Sequence, residues 1–203
     1  VFLFFYNFIL NLLSPFFILT LVFRIILGKE NKSRYLERFG IASDIRVKKI
    51  KMIWFHACSV GEVKSISSLT NEFLKKNYSV LITTNTLLSA NYVKKEFSDK
   101  IKHQFLPMDF NFTTKKFLNH WKPDIGIFVE SEIWPNLINN CNIKNIPLML
   151  LQASFSKKSL KKWSLFKSFF KDILSNFNVI IAQSKNDKKK LFDFANIKVH
   201  GTL

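Results

Sequence analysis

The sequence predicts an α/β protein built on a doubly wound, mostly parallel, Rossmann-like sheet with helices on both faces. Three observations lead to this prediction. Short apolar runs alternate with amphipathic segments from residue 51 to the end of the chain. The first apolar run gives way to a tight turn with glycine and then to a helix start, which is typical of a β-α unit. The run at 125–129 is apolar apart from Gly126, as expected for a strand that is buried on both faces.

The predicted strands and helices follow one another along the whole domain. The first strand begins with M-I-W-F, and the helix after it carries Ile66, Leu69 and Phe73 on one face. Pro107 closes the third strand, and a turn that contains Pro123 separates the third helix from the fourth strand. We predict strands at residues 52–57, 78–83, 103–106, 125–129, 147–151, 179–182 and 197–200, and helices at 62–76, 88–97, 113–121, 133–141, 160–177 and 186–195.

The N-terminal stretch, residues 1–27, is the most apolar part of the chain, and no charged residue precedes Arg24. About 20 apolar residues are enough to span a bilayer core, and membrane helices tolerate the kink that Pro15 would cause. A signal peptide fits less well, because no basic segment comes before the stretch and no A-x-A pattern follows it. We expect residues 1–28 to form a membrane-anchoring helix that either spans the bilayer or lies in its interface.

Residues 29–50 form a basic and polar segment that contains a short predicted helix ending on Gly40. Its lysines and arginines would lie at the headgroup level, where they favour anionic lipid. By the positive-inside rule they place the following domain on the cytoplasmic side. The expected organisation is therefore an anchor at 1–28, a basic juxtamembrane connection at 29–50 and an α/β domain at 51–203.

Composition narrows the classes of partner. The 203 residues carry a net charge of +17, which favours an anionic partner such as nucleic acid, anionic lipid or a phosphorylated substrate. The basic residues are dispersed and no nucleic-acid module is recognisable, so nucleic-acid binding is disfavoured. No G-x-G-x-x-G or P-loop pattern is present, which disfavours dinucleotide and Walker-type sites. Cys58 and Cys141 show no metal-ligand spacing and fit a reducing compartment.

The stretch H-A-C-S-V-G-E at residues 56–62 is the first candidate site. Ligands of such sheets bind beyond the carboxyl ends of the strands, where this stretch lies. Gly61 permits backbone geometry that other residues resist. Glu62 would stand near a helix N-terminus and face the crevice, where it could act as a general base. The alternative is that Glu62 only complements the helix dipole.

The stretch E-S-E-I-W-P-N at residues 130–136 is the second candidate. Glu130 and Glu132 come directly after the buried fourth strand, so two acidic groups share one crevice in a very basic chain. One of them could be a base and another could stabilise developing positive charge. His56 and His103 are interpreted as structural histidines, because nothing in the sequence positions a second ligand beside either. The other strand ends carry hydroxyl and amide groups that suit a sugar or another polyol; they include Ser59, Thr84, Gln152, Ser156 and Gln183.

Taken together, these motifs resemble the 3-deoxy-D-manno-octulosonic acid (Kdo) transferases. H-A-C-S-V-G-E is similar to the family's H-x-V-S-V-G-E, and E-S-E-I-W-P-N-L is similar to its E-x-E-[IL]-W-P-N-L. F-L-P-M-D at 105–109 and V-H-G-T-L at 199–203 also match, in the same order. The resemblance covers essentially the whole chain and corresponds to the N-terminal, acceptor-binding half of a GT-B glycosyltransferase.

The resemblance implies inverting transfer of Kdo from CMP-Kdo to a lipid A precursor, lipid IVA, at the cytoplasmic face of a Gram-negative inner membrane. It implies no metal and no cofactor in the site. Carried onto this sequence, it makes Glu62 the general base and Glu130 the residue that stabilises the transition state. It places Ser59, Gly61, Thr84, Glu132 and Ser156 among the substrate-binding residues. The basic helix predicted at 160–177 would suit a phosphorylated, acylated acceptor, or else be a solvated amphipathic helix.

Three departures from the family pattern qualify the resemblance. L-L-S-A at 87–90 stands where the family often reads P-T-G-S, and Ser154 stands where the family often has an arginine. The family's pattern also continues past Leu203 with a second domain that binds CMP-Kdo, so we expect residues 1–203 to be inactive alone. The alternative function is a membrane-anchored glycan- or lipid-binding module with a degenerate transferase site. Another glycosyltransferase of the same architecture would also fit, because fold does not fix substrate.

Overall fold

The computed structural model describes residues 2–46, 49–195 and 199–202. Within these ranges the strands are β1 (Met52–His56), β2 (Ser79–Thr84), β3 (Lys102–Phe105), β4 (Ile125–Val129), β5 (Leu148–Ala153), β6 (Val179–Ala182) and β7 (Gly201–Thr202). They form one sheet in the order β3-β2-β1-β4-β5-β6-β7, and all six described pairings are parallel. The predicted doubly wound α/β fold is confirmed.

The strand order reverses between β1 and β4, which are hydrogen-bonded neighbours although two strands separate them in sequence. In open parallel sheets such a reversal opens a crevice at the carboxyl ends of the strands. The helices around the sheet are α1 (Phe2–Leu12), α2 (Ser14–Ile26), α3 (Val60–Lys75), α4 (Leu87–Phe97), α5 (Asn111–Trp121), α6 (Pro135–Ile143), α7 (Lys157–Trp163), α8 (Lys167–Leu174) and α9 (Lys185–Ala195).

Both faces of the sheet are covered by apolar side chains, because successive residues of a strand point to opposite faces. Trp54 of β1 packs on one face, with its ring 5.0 Å from that of Phe117 and 5.2 Å from that of Phe128. Phe55 packs on the other face against Phe73. A Cβ atom on Gly126 of β4 would lie 2.7 Å from a methyl carbon of Leu148, so this position in the core admits glycine alone without rearrangement.

Several predicted element boundaries were wrong by one or two residues, and three differences have a structural explanation or consequence. Helix α3 begins at Val60 rather than Glu62, because the Ser59 side chain caps it. The helix predicted at 160–177 is two helices joined by a 3₁₀ turn at Ser164–Phe166, and this break turns α8 so that Phe170 is fully buried. The last predicted strand, 197–200, lies partly outside the described residues, and the strand that pairs with β6 is Gly201–Thr202 instead.

The N-terminal stretch forms two helices rather than the one predicted. Among the described helices none is by itself long and apolar enough to cross a membrane, whereas α1 and α2 together meet that test by length and composition, with a bend of 55° between them. Pro15 lies in the first turn of α2, where its missing N–H costs nothing and where it prevents α1 from continuing. The pair also contacts the α/β domain: Leu21 is buried, and Phe17 packs against Phe110.

The segment after α2, predicted as a separate basic connection, packs onto the α/β domain. Arg38 is buried and donates to both carboxylate oxygens of Glu30, to the carbonyl oxygen of Leu106 and to that of Asn85. Glu37 is fully buried as well and accepts hydrogen bonds from elsewhere in the fold. Arg38 is therefore a fixed part of the domain, because a buried charge is stable only when it is paired.

Candidate functional site

The reversal of strand order brings the two candidate motifs together at the carboxyl ends of two central strands, β1 and β4. H-A-C-S-V-G-E follows β1, and E-S-E-I-W-P-N follows β4, its neighbour. The charges of Glu62 and Glu132 both act on Glu130, so the three carboxylates share one electrostatic environment. The structure thus places Glu62, Glu130 and Glu132 in the crevice that the sequence predicted.

Glu62 is held by the first turn of α3. The Ser59 hydroxyl accepts a hydrogen bond from the Glu62 N–H at 3.2 Å, and the Glu62 Oε2 accepts one from the Cys58 N–H at 2.8 Å. The residue is 6% exposed, and its Oε1 has no hydrogen-bond partner among the residues that the structure describes. Glu62 therefore complements the helix start with one oxygen, and its role as a general base stays a prediction.

Gly61 does not have the backbone geometry that the sequence predicted. Its backbone is helical, and a Cβ atom there would meet only the Ser59 Oγ, at 3.8 Å, which is ordinary contact. The expectation that Gly61 supplies unusual backbone geometry is wrong. Gly61 is exposed beside the buried Glu62, and a small side chain would also fit here.

Glu130 has a strained backbone. Its φ is 60°, in the left-handed region that non-glycine residues rarely occupy, and its N–H donates to the Leu151 carbonyl oxygen. Burial raises the pKa of Glu130, and the neighbouring Glu62 and Glu132 raise it further. Strain of this kind costs about 1–2 kcal/mol and often marks functional sites.

We expect Glu130→Gly to remove function without loss of stability. Glycine relieves the left-handed strain at this position, which offsets the larger entropy that glycine gives the unfolded chain. Thermal unfolding and activity of the full-length protein would be measured beside Glu130→Gln, which keeps the strain and removes the charge. A Glu130→Gly protein that is clearly less stable than the Gln variant would contradict the strain argument.

Glu132 is oriented by two donors. Its Oε2 lies 3.0 Å from the His56 Nε2 and accepts a hydrogen bond from the Trp134 indole N–H at 2.9 Å. Burial alone would raise the pKa of Glu132, but the hydrogen bond and charge of His56 and the hydrogen bond of Trp134 outweigh burial and hold that pKa below its usual value. His56 is fully buried, so the interpretation of a satisfied histidine is confirmed, but its partner is a carboxylate of the crevice.

The hydroxyl residues predicted to bind substrate lie in different surroundings. Ser59 and Ser156 are exposed and cap α3 and α7. Thr84 is fully buried, and its hydroxyl lies 3.0 Å from the His103 Nε2. Arg34 donates to the other ring nitrogen of His103, so Nε2 carries the proton and donates to Thr84. Because this partner occupies the Thr84 side chain inside the domain, the structure does not place Thr84 in the crevice.

Asn85 connects the crevice to the segment before β1, and the sequence did not single it out. Its side-chain amide donates to the Cys58 Sγ at 3.2 Å, and its backbone carbonyl oxygen accepts a hydrogen bond from Arg38 at 2.7 Å. Burial raises the pKa of the Cys58 thiol to about 11, so this cysteine is a packing and hydrogen-bonding group at neutral pH. The sequence of this loop has no N-G or D-G turn signal, and the polar run T-T-N-T at 83–86 is the only feature that marks it.

Asp109 also supports the site, and the sequence analysis included it only as the last residue of F-L-P-M-D. It is buried, and its carboxylate accepts from the N–H groups of Asn136 and Leu137 at the start of α6 and from the Tyr6 hydroxyl at 2.9 Å. Burial raises the pKa of Asp109 to about 7. The side-chain amide of Asn136 also donates to Asn7. Tyr6 and Asn7 of α1 therefore fix this helix to Asp109 and to the start of α6.

A cavity of about 480 Å³ lies between helices α1 and α2 and the carboxyl ends of the strands. Its polar groups include Arg24, Glu30, Arg38 and Asn85, which pair largely with one another. The rest of the wall is mainly apolar and comes from both the helices and the loop after β3; it includes Leu10, Phe17, Leu21, Leu106, Met108 and Phe110. Trp134 and Asn85 line the cavity and also contact the residues around Glu132 and Glu62.

Comparison with solved structures bears on the fold alone. UDP-N-acetylglucosamine 2-epimerase is similar with a TM-score of 0.51 at 16% identity, over 76% of this chain and 47% of that one. This neighbour is consistent with one Rossmann-like half of a GT-B architecture.

Comparison with known sequences identifies the family. The family model for 3-deoxy-D-manno-octulosonic-acid transferase (Kdo transferase) matches residues 33–203. The chain is 39% identical over 187 residues to the 3-deoxy-D-manno-octulosonic acid transferase of Rickettsia bellii, covering 91% of this chain and 44% of the relative. It is 30% identical over 190 residues to the 3-deoxy-D-manno-octulosonic acid transferase of Haemophilus influenzae, covering 92% of this chain and 44% of that relative. The chain thus spans less than half the length of these relatives, and it belongs to the 3-deoxy-D-manno-octulosonic-acid transferase family.

Proposed function

We propose that the protein containing this chain transfers Kdo from CMP-Kdo to a hydroxyl group of a lipid A precursor, lipid IVA, in lipopolysaccharide biosynthesis. The observation that carries the proposal is Glu62, a buried carboxylate at a helix start with one oxygen held and the other without a partner in the described part of the chain. Family membership supports Kdo transfer. In this proposal the chain supplies the acceptor side of the site, and CMP-Kdo is held mainly by a further domain.

In the proposed reaction, Glu62 is the general base. Its Oε1 accepts the proton of the acceptor hydroxyl while the hydroxyl oxygen attacks the anomeric carbon of Kdo. The bond from that carbon to the CMP phosphate breaks, CMP leaves with the electron pair, and attack from the opposite face inverts the configuration. Glu130, in the same crevice, stabilises the positive charge that develops on the sugar. No metal takes part in this scheme.

The cavity beside the crevice supports an acceptor with a hydrocarbon part. It opens between the apolar helix pair and the loops near Glu62, so one molecule can reach both places. The charged groups of the cavity, such as Arg38 and Glu30, satisfy one another, so the remaining wall favours an apolar occupant. We assign the cavity to an acyl chain of the acceptor.

A tryptophan at Leu21 is expected to fill the cavity and to weaken binding of the acylated acceptor. Leu21 is buried and lines the cavity, whereas Val22, the next residue of α2, is 47% exposed and offers the matched control. Each methylene kept out of the cavity costs about 0.8 kcal/mol, so Leu21→Trp should raise KM for lipid IVA about tenfold or more. KM for its deacylated form should not change, and Val22→Trp should change neither.

The acyl-chain assignment has a clear contrary result. If Leu21→Trp slows transfer to the acylated and deacylated acceptors equally, the cavity does not hold the chain. Transfer itself, by the parent protein, would still support the proposed function.

We also propose that the protein acts at the cytoplasmic face of the inner membrane. The outward faces of α1 and α2 support this, because they expose large apolar side chains that include Phe4, Phe8, Phe16, Leu19, Phe23 and Ile26. Exposed apolar patches of this extent mark interaction surfaces for membrane or protein. Sedimentation of the full-length protein with liposomes tests the assignment: binding that survives high salt is expected, and a protein that stays unbound would contradict it.

The substrate pair is tested with the full-length protein, lipid IVA and a set of activated sugars. Mass spectrometry of the acceptor should show addition of Kdo with CMP-Kdo and no addition with uridine diphosphate sugars. Transfer of a different sugar would replace the donor assignment. Binding of lipid IVA without any transfer would favour the membrane-anchored glycan- or lipid-binding module.

A further inference from the structure

The contacts of Glu132 divide its two oxygens. Oε2 lies 3.0 Å from the His56 Nε2 and accepts a hydrogen bond from the Trp134 indole N–H at 2.9 Å. Oε1 has no hydrogen-bond partner among the described residues, and the side chain is 19% exposed. The carboxylate is therefore fixed by one oxygen and open at the other.

The surroundings of His56 place a proton on its Nε2. A bare nitrogen lone pair facing a carboxylate oxygen at 3.0 Å would be repelled, so the contact with Glu132 requires an N–H there. The Trp134 indole nitrogen also lies 3.2 Å from Nε2, but its N–H makes the shorter contact with Oε2 of Glu132, at 2.9 Å, and is assigned to that oxygen. The Nδ1 lies 3.1 Å from the Thr83 hydroxyl, and this hydroxyl accepts a hydrogen bond from the Trp54 indole N–H. Thr83 and Trp54 thus orient the ring from behind, inside the sheet.

We propose that His56 is a positioning residue of the transfer site: its Nε2–H, together with the Trp134 indole N–H, holds Oε2 of Glu132 so that Oε1 receives a hydroxyl group of the bound sugar. This proposal rests on the proposed function, because it assigns Glu132 to the substrate of that reaction. A carboxylate held by two donors binds a sugar hydroxyl with less loss of side-chain entropy than a free one.

The charge state of Glu132 follows from the same contacts. The titratable groups that face it are His56, Cys58, Glu62 and Glu130. Burial raises the pKa of Glu132, and the hydrogen bond and charge of His56 together with the hydrogen bond of Trp134 lower it. Removal of His56 therefore raises the pKa of Glu132, and the acid limb of the pH–rate profile moves to higher pH.

The test compares His56→Ala and His56→Gln in the full-length protein, alone and combined with Glu132→Gln. His56→Ala should lower kcat/KM for Kdo transfer about 10- to 100-fold, the usual effect of losing a hydrogen bond to a charged group. His56→Gln, whose side-chain amide can still donate, should recover part of that loss and part of the pH shift. In the Glu132→Gln background, His56→Ala should lower the rate by less than about twofold, because positioning acts only through Glu132.

Two further variants separate positioning from folding. Trp134→Phe removes the other donor and keeps an aromatic ring, so it should act in the same direction and also lose its effect in the Glu132→Gln background. It carries the test if His56→Ala fails to fold. His103→Gln, a buried histidine bonded to Thr84 and Arg34, controls for loss of any buried imidazole and should leave the pH profile unchanged.

The outcomes distinguish this proposal from the proposed function. An active parent in which His56→Ala and Glu132→Gln multiply their effects independently would overturn the positioning role alone. An unshifted pH profile in His56→Ala would do the same. A folded parent that transfers no Kdo would refute the proposed function, and the role of His56 in it would fall with it.

Discussion

Replacing Glu62 with glutamine is expected to lower kcat for Kdo transfer by about 10²- to 10⁴-fold, the usual share of a general base. Glutamine keeps an oxygen that can accept the Cys58 N–H, so the start of α3 is preserved. It cannot take up the proton of the acceptor hydroxyl. KM for the acceptor should therefore change little, since the loss falls on the chemical step.

The control for Glu62→Gln is Glu72→Gln, because Glu72 lies on the same helix but is exposed and paired with Lys75. This variant should retain full activity. Both proteins would be compared by steady-state kinetics after thermal unfolding has shown that they are folded. A Glu62→Gln protein within tenfold of the parent rate would mean that Glu62 is a helix-start carboxylate and not the base.

The largest loss of stability is expected from Glu37→Ala. The Glu37 carboxylate is 1% exposed and accepts two hydrogen bonds from Arg34, one from the Ser43 hydroxyl and one from the Phe105 N–H. Alanine would leave Arg34 without its ion-pair partner and a buried N–H of β3 without an acceptor. Breaking a buried pair from one side typically costs about 3–5 kcal/mol in the free energy of unfolding.

The matched control is Asp44→Ala in the same segment. Asp44 pairs with Lys102, but its side chain is 45% exposed, so the loss should be about 1 kcal/mol or less. Denaturant unfolding of the full-length proteins, followed by tryptophan fluorescence, measures both. Equal effects of the two variants would show that the Glu37 contacts do not hold residues 29–50 on the domain.

The sequence predicted the fold well because its strands are strongly patterned. The fourth strand, I-G-I-F-V, lies at the predicted residues, and the alternation of strand and helix fixed the parallel order. The predicted ends of helices were wrong where a side-chain contact determines the helix end. The Ser59 cap moved the start of α3, and the burial of Phe170 required the break before α8. The Ser59 cap spans only three residues, whereas the contacts of Phe170 with Phe155 and Phe194 join distant parts of the chain and leave little local pattern.

The carboxylates of the site were predictable, and their supports were not. Glu62, Glu130 and Glu132 follow adjacent strands, and the topology brings them together as expected. The roles of Asn85 and Arg38 depend on contacts across 47 residues of sequence, between groups that look like ordinary surface residues. A net charge of +17 also made Arg34 and Arg38 look like lipid-facing groups, whereas their partners Glu37 and Glu30 hold them in the domain.

The most direct test is a mass measurement on the acceptor. The full-length protein and its Glu62→Gln variant would be incubated in membranes with CMP-Kdo and lipid IVA, and the lipid would then be weighed by mass spectrometry. The proposed function predicts that the parent adds at least one Kdo to the acceptor and that the variant leaves the acceptor unchanged over the same time. An unmodified acceptor with folded parent protein would contradict the assigned reaction, and equal addition by both proteins would contradict the role of Glu62.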